Sequence, residues 1–186
     1  GNCSLILKYM SHFKYSGQKL FVEDLSIANL AKKNITPFYL YSEKQIKENY
    51  SNLNQNFKNV NPLICFAAKA NTNLSILKML GKLGAGADVV SGGELLKALK
   101  AGINPNKIVF SGVGKTEDEL KLAIRKKILL IDIESESEAK LINDIGKKSN
   151  IKIPVGFRLN PNVDAKTHKK ISTGKSENKF GISIKD

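Results

Sequence analysis

The sequence predicts an α/β fold built on a parallel sheet, and three observations carry that prediction. Short apolar runs alternate with segments of helical periodicity, the connections between them are short, and runs such as Ile128-Leu129-Leu130-Ile131 show no polar alternation. Strand and helix in alternation imply right-handed βαβ units. Strands that are apolar throughout imply burial on both faces. A (β/α)₈ barrel and a doubly wound open sheet satisfy these observations equally.

Phe38-Tyr39-Leu40-Tyr41, after Pro37, reads as the first strand. Ser42 with Gln45 three residues on has the form of a capping box and opens a helix running to Phe57. Leu63 to Ala67 is the second strand, and Asn73 to Leu83 is helical, with Leu74, Leu77 and Leu80 on one face. Ala87 to Val90 is the third strand, followed by a helix from Gly93 to Ala101 that Gly102 stops. Lys107 to Phe110 is the fourth strand; Thr116, with Glu119 at the box position, caps a helix to Ile124. Ile128 to Ile133 is the fifth strand, and Ser135 caps a helix through Ile145 that Gly146 ends. Ile151 to Leu159 is the sixth strand, and Asn160 to Lys179 a long polar loop.

Bulk properties narrow the function classes. A length of 186 residues suits about one domain, and 41% hydrophobic residues suffice for a core. No apolar run approaches the roughly 20 residues of a membrane-spanning helix. Gly1 to Tyr9 has neither a basic leader nor a small-residue cleavage site, so it does not read as a signal peptide. Residues 1–9 are set apart as a leader or extension, 10–36 as an N-terminal segment, and 37–186 as the main domain. Two cysteines, Cys3 and Cys65, suggest neither a disulfide framework nor a zinc site, and a reducing cytoplasm fits. The net charge of +13 comes from lysines scattered among Glu and Asp, as in Lys115 to Lys127. That pattern describes solvated helix faces rather than a nucleic-acid surface, although a positive field attracts anionic ligands.

One lysine stands apart. Cys65-Phe66-Ala67-Ala68-Lys69-Ala70-Asn71 reads as a short buried strand ending on Lys69. An amine at such a strand end is poorly solvated, and desolvation disfavours its charged form. A neutral amine can form a Schiff base with an aldehyde cofactor such as pyridoxal phosphate. The alternative is a lysine that snorkels into water.

The residues around Lys69 form a series. Phe66 to Asn71 is followed by Gly84-Ala85-Gly86-Ala87-Asp88, then Val89-Val90-Ser91-Gly92-Gly93-Glu94-Leu95. Ile108-Val109-Phe110-Ser111-Gly112-Val113-Gly114-Lys115-Thr116 and Glu134-Ser135 come next. Arg158 to Ala165, Thr167-His168, Ile171 to Gly174 and Lys179-Phe180-Gly181-Ile182 complete it. In order and spacing the series resembles the group IV pyridoxal-phosphate decarboxylases, which act on ornithine, arginine and diaminopimelate. Its last two blocks look like the diaminopimelate decarboxylases. The resemblance covers Met10 to the end.

The resemblance implies an alanine-racemase-like (β/α)₈ TIM barrel followed by a β-domain. A complete barrel takes about 250 residues, and this chain has room for roughly six strands, so a partial barrel truncated before closure is expected. The implied activity is decarboxylation of meso-2,6-diaminopimelate to L-lysine and CO₂, with an amino-acid substrate, pyridoxal 5'-phosphate as cofactor, no metal, and a homodimer as the full-length form. Lys69 is the implied catalytic and cofactor-binding residue, with Asp88 and Arg158 also binding the cofactor. Asp88 would favour the protonated linkage, or else cap the loop before Gly92. Arg158 would order the site floor, or else form an ordinary lumen ion pair. Ser91 to Glu94 offers N–H groups to an anion, or else a plain turn into a helix. Glu94 lies near the site entrance by analogy, or else serves as a first-turn carboxylate. Lys179 matches a position near the subunit interface, or else is a solvated loop lysine. His168 does not match the family's ring-stacking histidine. That histidine, the phosphate-binding glycine loop, the pyridine-nitrogen carboxylate and the substrate-binding arginines are expected beyond Asp186, so the chain alone is not expected to turn over substrate. Another group IV decarboxylase and a non-catalytic remnant are the alternatives.

Overall fold

The computed structural model describes residues 12–163 and 181–183. The leader over 1–9, Met10, Asp164, His168 and Lys179 lie outside the described residues. The chain divides into two compact units, Gly1–Pro62 and Leu63–Asp186.

The first unit holds an antiparallel meander of β1 (Phe13–Ser16), β2 (Lys19–Val22) and β3 (Leu25–Ser26), then α1 (Ile27–Lys33) and α2 (Glu43–Asn56). Gly17 turns the first hairpin at φ +60°, a conformation that costs a residue without Cβ nothing. The strand expected over Phe38–Tyr41 does not form. Tyr39 is 91% exposed, and no ladder pairs this run among the described residues. An extended run becomes a strand only where another strand meets its N–H and C=O groups, and the meander pairs only with itself. The Tyr39 and Tyr41 rings stack 6.4 Å apart, as side chains two apart on extended backbone do. Ser42 caps α2 as expected by accepting from Gln45 N, while its own hydroxyl donates to Glu23.

The second unit is a five-stranded parallel sheet in sequential order: β4 (Cys65–Ala67), β5 (Gly86–Val89), β6 (Ile108–Phe110), β7 (Leu130–Ile133) and β8 (Val155–Phe157). The crossovers are α3 (Leu74–Lys82), α4 (Gly92–Lys100), α5 (Glu117–Arg125) and α6 (Glu136–Ser149). Sequential order with same-handed crossovers places every helix on one face, which is an arc of a barrel; a doubly wound sheet reverses its order and carries helices on both faces. Burial follows the strand period of two. Ala87, Val89, Ile108, Phe110, Ile131 and Ile133 face the helices and are buried with Leu77, Leu95, Leu120 and Ile142. Asp88, Val109, Leu130 and Asp132 point the other way and are only half-buried. Burial on both faces, expected from the apolar strands, is thus seen on one. At β8 even the helix-side residues are open, with Phe157 62% exposed.

Two further boundaries differ from expectation. Gly146 does not end α6. It lies inside the helix, where a Cβ would sit 3.1 Å from the Ile151 carbonyl. Asn150 ends the helix in left-handed conformation, and Ile151 N donates back to the Gly146 carbonyl. The sixth strand is shorter than 151–159, since Pro154 has no N–H to give a ladder. Leu159–Asn160 forms a separate strand, β9, in parallel register with β10 (Ile182–Ser183).

The helices at the C-terminal rim of the sheet share one device. Ser91, Thr116 and Ser135 each accept from the backbone N–H of a glutamate three residues on. Two of those glutamates also reach the preceding loop: Glu119 accepts from Gly92 N at 2.7 Å, and Glu138 from Lys115 Nζ at 2.9 Å. The Gly92 N–H, then that of Thr116, holds the Glu119 carboxyl below the usual glutamate range. A depressed folded pKa stabilises the fold above the unfolded value of about 4.3. That stability is lost as pH falls from there through the folded value. Glu119→Gln should therefore flatten the acid limb of a thermal-stability profile and leave its neutral-to-alkaline part parallel to wild type. An unchanged acid limb would remove this linkage.

Candidate active site

Lys69, Asp88, Ser111, Asp132 and Arg158 line one cavity of about 660 Å³ at the C-terminal ends of the parallel strands, closed on one side by Gly112-Val113-Gly114. All five come from the second unit, each at or just past the end of a different strand, β4 to β8. That is where βα loops of a barrel-type sheet gather functional groups. The three residues singled out from sequence, Lys69, Asp88 and Arg158, are brought together.

Lys69 takes the second of its two expected settings. It lies in a 3₁₀ turn, Ala68–Ala70, just after β4, and is exposed rather than held dry. The apolar strand ends two residues earlier, and the turn lifts the side chain off the sheet. The amine is therefore reachable from the cavity.

Asp88 accepts from the Ser111 hydroxyl at 2.6 Å, and the same hydroxyl lies 2.8 Å from Asp132 Oδ2. Arg158 Nη1 donates to Glu134 Oε1 at 2.9 Å, so its side chain joins an ion pair while also facing the cavity. Glu134 is 5% exposed and accepts further from Gly112 N and Gly181 N, which ties two rim loops to Arg158. Lys115 is fully buried, with its amine donating to the Gly112 and Asp132 carbonyls and to Glu138. At the start of β4, burial pushes the Cys65 thiol up, Asp88 adds to the rise, and Lys107 opposes it. Cys65 is thereby kept an inert thiol.

Within the segment from Ser91 to Glu94, the N–H groups of Gly92 and Glu94 are already engaged by protein acceptors. Val90 N donates to Glu94, Gly92 N to Glu119, and Glu94 N to Ser91 Oγ. Glu94 turns back onto its own helix start instead of lining the cavity, the plainer of its two expected roles.

Ser111, Asp132 and Glu134 carry no role in the sequence reading. The signal for two of them was present. Ser111 and Asp132 each follow an apolar residue, Val109 and Leu130, at the strand period of two, so each falls on the cavity face near a strand's C-terminal end. Glu134 gives no such signal, because its role depends on Gly112, Arg158 and Gly181 meeting it in space.

The donor set fits the aldehyde and ring end of a pyridoxal cofactor: a reachable primary amine with carboxylates and a guanidinium around one hollow. It does not fit the phosphate end through Gly92 or Gly112, whose N–H groups are spent on Glu119 and Glu134. No group of metal-binding residues occurs among the described residues, and no helix among them is long and apolar enough to cross a membrane.

Residues 43–186 match the family described as pyridoxal-dependent decarboxylase, pyridoxal binding domain. The chain is 45% identical over 182 residues to the diaminopimelate decarboxylase of Aquifex aeolicus, covering 98% of this chain and 43% of that protein. It is 53% identical over 151 residues to that of Helicobacter pylori, covering 81% and 37%. Among solved structures, the M. jannaschii diaminopimelate decarboxylase in complex with L-lysine superposes with a TM-score of 0.86 at 40% identity, covering 95% of this chain and 42% of that one. The H. pylori enzyme complexed with L-lysine gives 0.82 at 50% identity, over 85% and 40%. The chain thus spans about two fifths of the length of the relatives it matches.

Proposed function

The chain belongs to the pyridoxal-dependent decarboxylases, and from that membership we propose that it forms the pyridoxal-binding part of a diaminopimelate decarboxylase, converting meso-2,6-diaminopimelate to L-lysine and CO₂. The observation that carries this reading is the convergence of Lys69, Asp88 and Arg158 on one cavity at the strand ends.

Lys69 would hold pyridoxal 5'-phosphate through its amine. When bound, the cofactor supplies an electron sink for the pair released as the carboxylate leaves. The Lys69 amine would hold a proton at Nζ for return to the substrate carbon that lost CO₂. Asp88 places negative charge on the cavity wall, which favours positive charge on a neighbouring nitrogen. Arg158, steadied by Glu134, keeps its planar guanidinium fixed against the cavity.

By the same reading the working protein is a cytoplasmic homodimer with a small amino acid as ligand and no nucleic-acid partner. The i,i+4 pairs Glu43–Lys47, Glu117–Lys121 and Glu136–Lys140 support the last point, since they spend basic charge on local helix pairing.

The test is a substrate panel. The intact protein, loaded with pyridoxal phosphate, receives meso-diaminopimelate, L-ornithine or L-arginine, and CO₂ and L-lysine are measured. CO₂ and L-lysine should appear in equal amounts from diaminopimelate, with the other two roughly 100-fold slower or worse. Faster turnover of ornithine or arginine, or no CO₂ from any, overturns the assignment.

A further inference from the structure

We propose that Ser111 is a positioning residue of this site, turning one hydroxyl hydrogen between Asp88 and Asp132 and so setting how much negative charge Asp88 presents to the cavity that Lys69 lines. The inference rests on the reading of Lys69 as the cofactor's anchor.

A serine hydroxyl carries one hydrogen. Its oxygen lies 2.6 Å from Asp88 Oδ1 and 2.8 Å from Asp132 Oδ2, so two carboxylates compete for a single donor. The backbone beneath it is pinned on both sides: Ser111 N donates to the Val89 carbonyl at 2.8 Å, and Gly112 N donates to Glu134. With the main chain fixed, rotation of the hydroxyl is the remaining freedom. Hydrogen bonding to a carboxylate spreads its charge and weakens its pull on a nearby cation. Asp88 is therefore tempered while Ser111 serves it, and exerts its full charge when Ser111 turns to Asp132.

Asp132 is placed for this competition by an absence of side chain. A Cβ on Gly156 would lie 2.6 Å from Asp132 Oδ1. Bare backbone at β8 thus makes room for the second carboxylate, whose main-chain oxygen is gripped by Lys115. The charged side chains lining the cavity are Lys69, Asp88, Asp132 and Arg158. Lys69 and Asp88 carry the proposed coupling and Asp132 competes for the hydroxyl, while Arg158 is engaged with Glu134.

Two substitutions push the hydroxyl in opposite directions. Ser111→Ala leaves Asp88 untempered always. Gly156→Ala displaces the Asp132 carboxylate, a side-chain tip that can give way, and leaves the hydroxyl to Asp88 alone. The readout is the pH midpoint of the visible absorbance of pyridoxal phosphate bound to the intact protein, without substrate, with borohydride trapping to locate the attached lysine and thermal melts to check folding. The midpoint should rise by about half a pH unit or more in Ser111→Ala, fall in Gly156→Ala, and return toward wild type in Ser111→Thr. A Lys69 adduct with midpoints unmoved, or moved in the same direction by both substitutions, overturns the role of Ser111 and leaves the anchor standing. No trapped adduct on Lys69 in wild type overturns the anchor, and this inference with it.

Discussion

In the intact protein, on the proposed function, Lys69→Ala should cut release of CO₂ from meso-diaminopimelate by on the order of 10³-fold or more, since it removes the attachment point together with a general acid–base group that alone contributes about 10²- to 10⁴-fold. The geometry favours Lys69 over its neighbours. Lys115 lies closest in sequence to the Ser111 loop, but its amine is fully buried with three acceptors around it. Lys107 donates to the Gly84 carbonyl, and Lys97 to Thr72. Lys69 alone among the described lysines lines the cavity. After borohydride reduction of the loaded protein, peptide mapping should place the added mass on Lys69. The alanine variant should melt close to wild type, because the side chain is exposed. Label on Lys97, Lys107 or Lys115, or near-normal turnover in the variant, would remove Lys69 from the chemistry.

Gly86→Ala should be among the most destabilising single changes available to this chain. A Cβ at that position would lie 2.1 Å from the Lys107 carbonyl oxygen and 2.8 Å from Cys65 Sγ. The first is backbone at the entrance to β6, and it cannot rotate away. Gly86 N also donates to the Ile64 carbonyl, and Gly86 sits opposite Cys65 in the β4–β5 ladder. Relieving the collision therefore means separating β5 from β4 or β6. Overpacking usually costs about 1–3 kcal/mol, and a clash with backbone in a sheet belongs at or above the top of that range. Denaturant unfolding should show it as a fall in midpoint, with soluble yield falling in parallel. A melting temperature within about 2 °C of wild type, where 1 kcal/mol moves a domain of this size by roughly 2–4 °C, would show that the strands can part at little cost.

Much of the architecture could be read from short-range chemistry. Thr116 and Glu119 form the capping box their spacing announces, and Gly102 takes the left-handed conformation that stops its helix. The strands after Lys107 and Ile128 fall where apolar runs meet turn residues. Failures mark the places where a partner decides. Phe38–Tyr41 has the composition of a strand but no neighbour to pair with. Gly146 resembles a stop signal, yet it serves as a gap for the Ile151 carbonyl, and Asn150 terminates the helix instead. Asp88 and Arg158 could be placed by resemblance and Lys69 by its strand-end position. The strand-end position left a dry amine and one that snorkels into water both open, and the 3₁₀ turn after β4, a local backbone choice without a side-chain signature, decides for the exposed one. Ser111 between two carboxylates and Glu134 beneath Arg158 depend on residues some twenty positions apart arriving at one point.

The alternation along β5 to β8 separates two kinds of selective pressure. Residues 87, 89, 108, 110, 131 and 133 secure the helices, while 88 and 132 within β5 and β7, and 111 and 158 just past β6 and β8, look into the hollow. Exchanging a group on the hollow side leaves the apolar packing behind the sheet in place, although Arg158 also holds buried Glu134. A lineage, or a laboratory library confined to those four positions, can therefore explore new substrates and new proton chemistry while inheriting an almost untouched framework.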